Sequence, residues 1–405
     1  MEKFTGLIGI FTLLGIAVLL SNNRKKINLR TVFSGLALQF ILAFFILGTS
    51  LGEPVFRALD NAITTLVSFS DAGSTFLFRS YISDTYHPSL ENFAFRTLPT
   101  IIFFSSLISV LYHFGIIQKI VKMFAKIFQK TMFISGTESL SVSGNIFLGQ
   151  TEAPLMVKPF VDKMTKSELM ALMTGGFATA AGGILAIYVS WLSDIPGIAG
   201  HLLTASVMSA PAALVMAKII YPEVEKSNTM GDLNIEIEQT TTNAMEALGN
   251  GATTGLKLAA NIAAMLIAFL SFVAMINYLL LFLGTSMEAI FGFLFKPLAW
   301  TMGVPWSEAG VLGTLMGKKI VLTELIAYGD LQQIVAEGLI SERTTIIASY
   351  ALCGFANFGS IGIQLGGIGA MAPNRRGDLA RLVTKAMIGG ALASWLTATI
   401  AGLLL

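Results

Sequence analysis

Long apolar runs separated by short polar stretches dominate the pattern of this chain. The hydrocarbon core of a bilayer is crossed by a helix of about 20 consecutive apolar residues. By this criterion the pattern predicts about eight spanning helices. They are expected at residues 4–21, 32–50, 97–114, 168–190, 198–220, 255–284, 344–368 and 383–404. The predicted fold class is therefore an all-α integral membrane protein.

Three further segments are too polar to cross a bilayer. Residues 54–69 are amphipathic, and residues 116–130 carry a row of lysines on one helical face, Lys119, Lys122, Lys126 and Lys130. A basic amphipathic helix suits the membrane surface, where its lysines meet anionic lipid. Residues 222–246 are rich in Asp and Glu and predict a solvated loop between spans that is partly disordered.

Two other segments, residues 136–161 and roughly 305–340, are moderately apolar but are interrupted by glycine, proline or charge near their centres. Irregular backbone at membrane depth is tolerated only where protein or a water-filled cavity satisfies it. We therefore interpret both segments as re-entrant hairpins, the first entering from the cytoplasm and the second from outside.

Each hairpin contains a carboxylate, Glu152 or Glu324, and a related motif follows each one. The two motifs are Gly176-Phe177-Ala178-Thr179 and Gly354-Phe355-Ala356-Asn357. A carboxylate at membrane depth is expensive and is retained mainly where the site needs it. This duplication is typical of a transporter built from two inverted repeats. The predicted divisions are an N-terminal scaffold at 1–95, a first repeat at 96–220, a polar cytoplasmic loop at 221–250 and a second repeat at 251–405.

Composition supports a membrane protein and gives little sign of an enzyme. Hydrophobic residues make up 54% of the chain and charged residues 12%, against about 25% charged in soluble domains. A net charge of +2 gives no sign of nucleic-acid binding, and one cysteine excludes an internal disulfide. We find no Ser/His/Asp set, metal-ligand cluster or phosphate-binding loop, so no catalytic residue and no cofactor beyond a coupling ion is expected.

Basic residues predict the orientation. They cluster between the first two predicted spans and between the last two, at Arg24, Lys25, Lys26, Arg30, Arg375, Arg376 and Arg381. Loops rich in Lys and Arg face the cytoplasm. With an even number of spans, both termini are expected outside the cytoplasm.

The polar residues of the two hairpins suggest what they bind. Gln150 and Thr151 place an amide beside a hydroxyl, next to Glu152, and such groups can hydrogen-bond a nucleobase edge. In the second half Glu324, Asn357 and Ser360 form a set rich in acceptors that suits the vicinal hydroxyls of a sugar, and Phe355 offers an apolar wall. A plainer alternative is that both carboxylates form buried pairs with lysines such as Lys158 or Lys318.

A cation site is also indicated. Asn145 and Thr179 supply neutral side-chain oxygens, and unwound backbone near Leu148 and Ala180 can add carbonyls. Such oxygens suit a hard monovalent cation better than a transition metal. The alternative is that Thr179 bonds back to its own helix.

Several motifs resemble the signature motifs of the concentrative nucleoside transporters, and the resemblance covers essentially the whole chain. They are Gly149-Gln150-Thr151-Glu152-Ala153-Pro154, Cys353-Gly354-Phe355-Ala356-Asn357, Asn23-Arg24-Lys25, Asn28-Leu29-Arg30-Thr31 and Arg375-Arg376-Gly377-Asp378. The resemblance implies a sodium- or proton-coupled nucleoside symporter of a bacterial inner membrane. It further implies a homotrimer with eight spans, two opposed hairpins and an elevator-like movement.

The resemblance also implies residue roles. Gln150 and Thr151 would contact the base, with Glu152 acting through water, and Glu324, Asn357 and Ser360 would hold the ribose. Phe355 and Ile184 would pack around the nucleoside, while Asn145, Thr179 and the carbonyls of Leu148 and Ala180 resemble the family's sodium site. One departure is Thr323, where the family usually has Asn, so affinity or sugar selectivity is expected to differ.

These observations predict a sodium-coupled importer of nucleosides such as uridine. A proton-coupled nucleoside or nucleobase transporter is the first alternative. An intramembrane enzyme using Glu152 and Glu324 as acid and base is the second, but an enzyme has no need of the duplicated motif.

Overall fold

The chain is helical throughout the part described by its structure, a computed structural model that covers residues 2–49, 52–80, 90, 94–95, 98–231 and 241–405. The α-helices are α1 (Glu2–Leu19), α2 (Leu29–Gly48), α3 (Gly52–Phe78), α4 (Leu98–His113), α5 (Ile116–Met132), α6 (Gly136–Asn145), α7 (Lys166–Ala178), α8 (Gly182–Trp191), α9 (Ile198–Ile220), α10 (Ala244–Leu281), α11 (Met287–Thr301), α12 (Ala309–Val321), α13 (Glu324–Ala336), α14 (Glu342–Leu352), α15 (Phe358–Met371) and α16 (Arg376–Leu404). Short 3₁₀ helices occupy Arg24–Lys26, Ala153–Lys163 and Pro373–Arg375. The predicted all-α fold class is confirmed.

Five of the described stretches are long and apolar enough to cross a membrane, or six if the bent pair α4 and α5 counts as one span. The five are Leu29–Gly48, Lys166–Trp191, Ile198–Ile220, Ala244–Leu281 and Pro373–Leu404. Two predicted spans are each divided in two. The segment at 168–190 breaks between α7 and α8, and the segment at 344–368 breaks between α14 and α15. The count of eight spans stays a prediction.

Each predicted hairpin segment consists of two helices joined by a short turn. In the first, hereafter hairpin 1, α6 is followed by a turn and then by the 3₁₀ helix Ala153–Lys163. Pro154 lies in the first turn of this 3₁₀ helix. In the second, hairpin 2, only Leu322 and Thr323 separate α12 from α13. Every residue of α6 is buried, whereas the second helix is partly exposed, so it is the first arm of hairpin 1 that inserts into protein.

The amphipathic segments are helices. In α5 one face is buried and all four predicted lysines are exposed. Helix α3 continues well beyond the predicted segment at 54–69. Of the predicted loop, residues 232–240 lie outside the described residues, while Ser227 and Thr229 are buried and hydrogen-bond to Glu168.

The two broken helices touch each other at their breaks. Gly354, with φ of +109°, lies so close to the end of α7 that a Cβ atom there would come within 2.5 Å of the carbonyl oxygen of Ala178. Positive φ and close backbone approach both favour glycine. Helices α7, α9 and α16 pack around this point and are largely buried, whereas α10 is largely exposed. The buried core therefore surrounds the breaks.

Candidate functional site

A cavity of about 1160 Å³ opens between the two hairpin tips, the two helix breaks and a wall formed by α4 and α10. All eight residues that the sequence predicted to bind substrate line it, namely Gln150, Thr151, Glu152, Ile184, Glu324, Phe355, Asn357 and Ser360. They come from both halves of the chain. The fold thus brings together groups that lie up to 210 positions apart in the sequence.

Glu324 is the first residue of α13, and its side chain is buried with 5% of its surface exposed. The hydroxyl of Tyr188 donates to its Oε1 at 3.1 Å, and Nδ2 of Asn357 donates to its Oε2 at 2.8 Å. The ring of Tyr188 stacks on that of Tyr328 at a centroid distance of 3.9 Å. An ionised carboxylate can accept about four hydrogen bonds, so each oxygen of Glu324 retains acceptor capacity towards the cavity.

The alternative of a buried ion pair with Lys318 does not hold for Glu324. The ammonium group of Lys318 lies 2.7 Å from Asp330 and 3.2 Å from Glu288 instead. Glu324 is held by neutral donors and is available to a ligand.

Helix caps place the polar side chains of the second half. Asn357 is the N-cap of α15, and its Oδ1 accepts the backbone N–H of Ser360 at 2.8 Å. The side-chain amide of Asn357 is therefore held by two hydrogen bonds, one through Oδ1 to the backbone of α15 and one through Nδ2 to Glu324. Thr323 is the N-cap of α13 and accepts the backbone N–H of Ile326 at 3.3 Å. The threonine thus keeps the capping role that an asparagine could fill there.

Gln150 joins the two halves of the site directly. Its Nε2 donates to the hydroxyl of Ser360 at 3.1 Å, and its Oε1 accepts from Nε2 of Gln364 at 3.2 Å. The same Gln364 nitrogen donates to the carbonyl of Met173. Both Gln150 and Ser360 are buried, so this bond crosses the boundary between the two halves away from bulk solvent.

Sequence reasoning missed two residues, Gln364 and Tyr188. Each lies four positions after a predicted site residue on the same helix, Ser360 on α15 and Ile184 on α8. Residues four apart share a helical face, so this spacing was the available signal.

The remaining predicted contacts differ in exposure. Glu152 is exposed at the tip of hairpin 1 and its carboxylate lies over Gly149, while Thr151 is half-buried. The turn is closed by backbone bonds from Glu152 and Ala153 to the carbonyl of Gly149, at 3.1 and 3.0 Å. Phe355 is half-buried and Ile184 buried, and both supply apolar surface to the cavity.

The predicted cation ligands lie beside the cavity, where the tip of hairpin 1 meets the break between α7 and α8. A backbone bond from Gly182 to the carbonyl of Phe147 joins these segments at 3.2 Å. Asn145 is fully buried; its Nδ2 donates to the carbonyl of Ser141 at 3.1 Å, and its Oδ1 has no partner among the described residues. A buried oxygen without a protein partner can be satisfied by a bound ion or a water, and neutral oxygens of this kind suit a small hard cation.

Thr179 does bond back to its own helix, as the alternative predicted. Its hydroxyl donates to the carbonyl of Gly175 at 3.0 Å. This bond uses the hydrogen and leaves the oxygen lone pairs free to face a cation. Leu148 lines the cavity, whereas Ala180 is buried behind it. Within the described part of the chain, no group of three or more His, Cys, Asp or Glu side chains could hold a metal ion.

Three family models match this chain. Residues 8–81 match the N-terminal and residues 201–402 the C-terminal part of the Na⁺ dependent nucleoside transporters, and residues 94–194 match a nucleoside recognition domain. An uncharacterized transporter of Haemophilus influenzae is 41% identical over the full chain and 98% of its own length. Sodium/nucleoside cotransporter 1 of Mus musculus is 40% identical over the full chain, which spans 64% of the length of that protein.

A solved structure shows the same fold. CNTnw in an inward-facing, substrate-bound state superimposes with a TM-score of 0.91 at 40% identity, and the match covers 100% of this chain and 98% of CNTnw. The family models, the relatives and the fold agree. This chain therefore belongs to the concentrative nucleoside transporter family, a family of multi-pass membrane proteins that transport nucleosides and are not enzymes.

Proposed function

We propose that this protein is a sodium-coupled symporter that imports nucleosides such as uridine across a bacterial inner membrane. One observation carries the proposal. The side-chain amide of Gln150 is suited to a base edge. It lies 3.1 Å from the hydroxyl of Ser360, which lines the cavity together with the carboxylate of Glu324. A base-reading group and a sugar-reading group therefore meet in one buried site.

The substrate pose follows from the donors and acceptors. Gln150 and Thr151 face the base, with Glu152 acting through water at the exposed tip. The carboxylate of Glu324, oriented by Asn357, accepts hydrogen bonds from the ribose hydroxyls, and charge-assisted bonds of this kind contribute about 1.5–3 kcal/mol each. Ser360 adds a hydroxyl near the junction of base and sugar.

Two further residues shape the pocket in this pose. Phe355 and Ile184 pack against the apolar faces of the nucleoside. Thr323 caps α13 beside Glu324 but offers a hydroxyl where the family usually has an amide. This difference supports an altered affinity or sugar selectivity.

Coupling arises because the cation site and the substrate site share the tip of hairpin 1. Asn145, Thr179 and the carbonyls of Leu148 and Ala180 hold sodium between the tip and the break of α7. A bound cation fixes the tip and hence the position of Gln150, which raises nucleoside affinity. By thermodynamic linkage, bound nucleoside raises sodium affinity by the same factor.

Movement and assembly complete the proposal. Helices α4 and α10 pack closely, since a Cβ atom at Gly251 would come within 2.6 Å of Ser106 Cα. They form a scaffold against which the hairpins and broken helices move as an elevator. The exposed apolar surface of α10 supports a homotrimer, and the basic loops support termini outside the cytoplasm.

Replacing Thr179 by Val tests the proposed ion. Valine keeps the shape but removes the hydroxyl oxygen, so the sodium concentration for half-maximal uridine binding should rise roughly ten-fold. Thr174→Val is a matched control, because Thr174 is a buried threonine of α7 whose hydroxyl has no partner among the described residues. The sodium assignment is wrong if Thr179→Val and Thr174→Val both bind uridine like the parent protein and if uridine binding responds to pH rather than to sodium.

A further inference from the structure

Tyr188 is a fully buried tyrosine of α8 that touches the substrate site without lining the cavity. Its hydroxyl donates to Oε1 of Glu324, which lies 136 positions further along the chain. The bond therefore joins the helix after the first break to the tip of hairpin 2. A buried tyrosine hydroxyl usually finds a hydrogen-bond partner, and here that partner is the carboxylate in the proposed ribose site.

The ring of Tyr188 is held on its flat side by a second buried tyrosine. It stacks on Tyr328 of α13 with a centroid distance of 3.9 Å and an angle of 20° between the ring planes. Tyr328 is fully buried, and its hydroxyl donates to the carbonyl of Ser349 on α14 at 2.5 Å. Side chains packed in this way have little freedom to move. The hydroxyl of Tyr188 is thus fixed relative to α13 and α14.

Tyr188 and Asn357 together leave acceptor capacity on both oxygens of Glu324. An ionised carboxylate has about four lone-pair positions, two on each oxygen. Tyr188 uses one on Oε1 and Asn357 uses one on Oε2, while Glu324 itself lines the cavity. Two acceptors on neighbouring oxygens match two hydroxyl groups on neighbouring carbon atoms, as in ribose.

The two donors also control the orientation of the carboxylate. The terminal torsion of a glutamate side chain is broad, so a carboxylate held through one oxygen can still turn. We propose that Tyr188 is a positioning residue that sets the sugar selectivity of this site, because it fixes the carboxylate plane of Glu324 so that both oxygens bind the two vicinal hydroxyls of ribose at once. This inference rests on the ribose-binding role of Glu324 in the proposed function and extends it to a residue outside the cavity.

Loss of the Tyr188 hydroxyl should therefore affect nucleosides unequally. The carboxylate would then be held only through Oε2, and its plane would no longer be fixed. A nucleoside with both hydroxyls needs both oxygens in place at the same time. A deoxynucleoside needs one acceptor, which a turning carboxylate still offers.

Equilibrium binding of uridine, 2′-deoxyuridine and 3′-deoxyuridine to the purified protein in saturating sodium tests this. The parent protein should bind uridine at least roughly ten-fold more tightly than either deoxynucleoside, since each of them lacks one charge-assisted bond. Tyr188→Phe keeps the ring and removes the hydroxyl. It should weaken uridine binding roughly ten-fold and lower the preference for uridine over each deoxynucleoside at least about three-fold. A ratio of dissociation constants does not depend on the folded fraction, so a merely structural defect would leave this preference unchanged.

Tyr350→Phe is the matched control. Tyr350 is a fully buried tyrosine of α14 that does not line the cavity, and its hydroxyl hydrogen-bonds with Nδ1 of His201 at 3.2 Å. The same chemical change there should leave the preference for uridine at the parent level. A parent-like preference in Tyr188→Phe, or an equal fall in Tyr350→Phe, overturns the inference.

The double variant shows whether Tyr188 acts through the carboxylate. In Glu324→Gln the side chain offers a single acceptor oxygen, so adding Tyr188→Phe should not lower the preference further. A further fall of the same size overturns the inference, because residues that act through one another do not give additive effects.

The parent protein decides if the Tyr188→Phe variant does not fold. A loss of affinity on removal of either ribose hydroxyl supports the inference, whereas binding that depends on one hydroxyl or on neither overturns it. A parent protein that binds none of the three nucleosides overturns the proposed function. A parent protein that prefers uridine, with the same preference in Tyr188→Phe, overturns the role of Tyr188 alone.

Discussion

At the scale of single residues, Glu324 is held from both sides by donors. Tyr188 and Asn357 each donate to one of its carboxylate oxygens, at 3.1 and 2.8 Å. Because both neighbours present hydrogens, the group between them must accept. A glutamine here would turn its NH₂ group towards one of these donors, and would also lose the charge that strengthens bonds to ribose.

We expect Glu324→Gln to reduce nucleoside uptake at least roughly ten-fold, which corresponds to the loss of one charge-assisted hydrogen bond. Melting temperature and gel-filtration profile should remain close to those of the parent protein, which separates lost binding from misfolding. Uptake near the parent level in a folded Glu324→Gln variant would remove Glu324 from the ribose site.

Base reading and sugar reading should separate in competition assays. Gln150→Ala removes an amide that pairs with base edges, and should change the ranking among uridine, cytidine and adenosine. Ser360→Ala should change that ranking less than Gln150→Ala does, and should weaken discrimination between ribo- and deoxyribonucleosides, because a site built to bond a hydroxyl penalises its absence. The opposite pattern would mean that the nucleoside lies the other way round.

Gln150 and Ser360 hydrogen-bond each other, so substitutions at the two positions should influence one another. Each single variant leaves the other group without its partner at 3.1 Å. The two effects should therefore not add in the double variant, as is usual for residues in direct contact. Gln150 and Ser360 lie 210 positions apart, so residue types alone could suggest their roles but not their contact.

At the scale of secondary-structure elements, glycine, proline and charged residues within apolar segments predicted where the helices end. Residues 136–161 and 305–340 contain the two hairpins, and the repeated Gly-Phe-Ala motif marks the two helix breaks. The sequence could not predict that the breaks touch, because that contact depends on how α7 and α14 pack. It also left the roles of Asn357 and Thr323 as helix caps unassigned, since capping requires the exact first turn of a helix.

The contact between the breaks depends on Gly354. Gly354→Ala would place a Cβ atom 2.5 Å from the carbonyl oxygen of Ala178, at a φ of +109°. Strain of this kind costs about 1–3 kcal/mol before the clash is added. We expect a lower melting temperature and reduced uptake.

Gly366→Ala is the matched control, because no atom lies within 4 Å of a Cβ at that position on α15. It should leave melting temperature unchanged or raise it slightly, as alanine favours helix. If both variants melt and transport like the parent protein, the breaks do not depend on close packing at Gly354.

At the scale of the whole molecule, hydropathy predicted an all-α membrane protein with about eight spans. The fold class is confirmed, whereas five or six of the described stretches are long and apolar enough to cross a membrane. Lys166–Trp191 passes the length criterion only as two helices with a break, and Phe358–Met371 is too short by itself. Broken helices place backbone groups inside the protein, where they serve a cavity rather than lipid. The two helix breaks, which prevent a count of spans from hydropathy alone, therefore also form part of the candidate site.

Uridine uptake into proteoliposomes is the most direct test of sodium-coupled nucleoside transport by this protein. An inward sodium gradient should drive uptake well above the level reached with equal sodium on both sides, and Glu324→Gln should reduce this sodium-driven uptake at least roughly ten-fold. Uptake driven by an inward proton gradient and indifferent to sodium would contradict sodium coupling. Absence of nucleoside uptake under every gradient would contradict nucleoside transport itself.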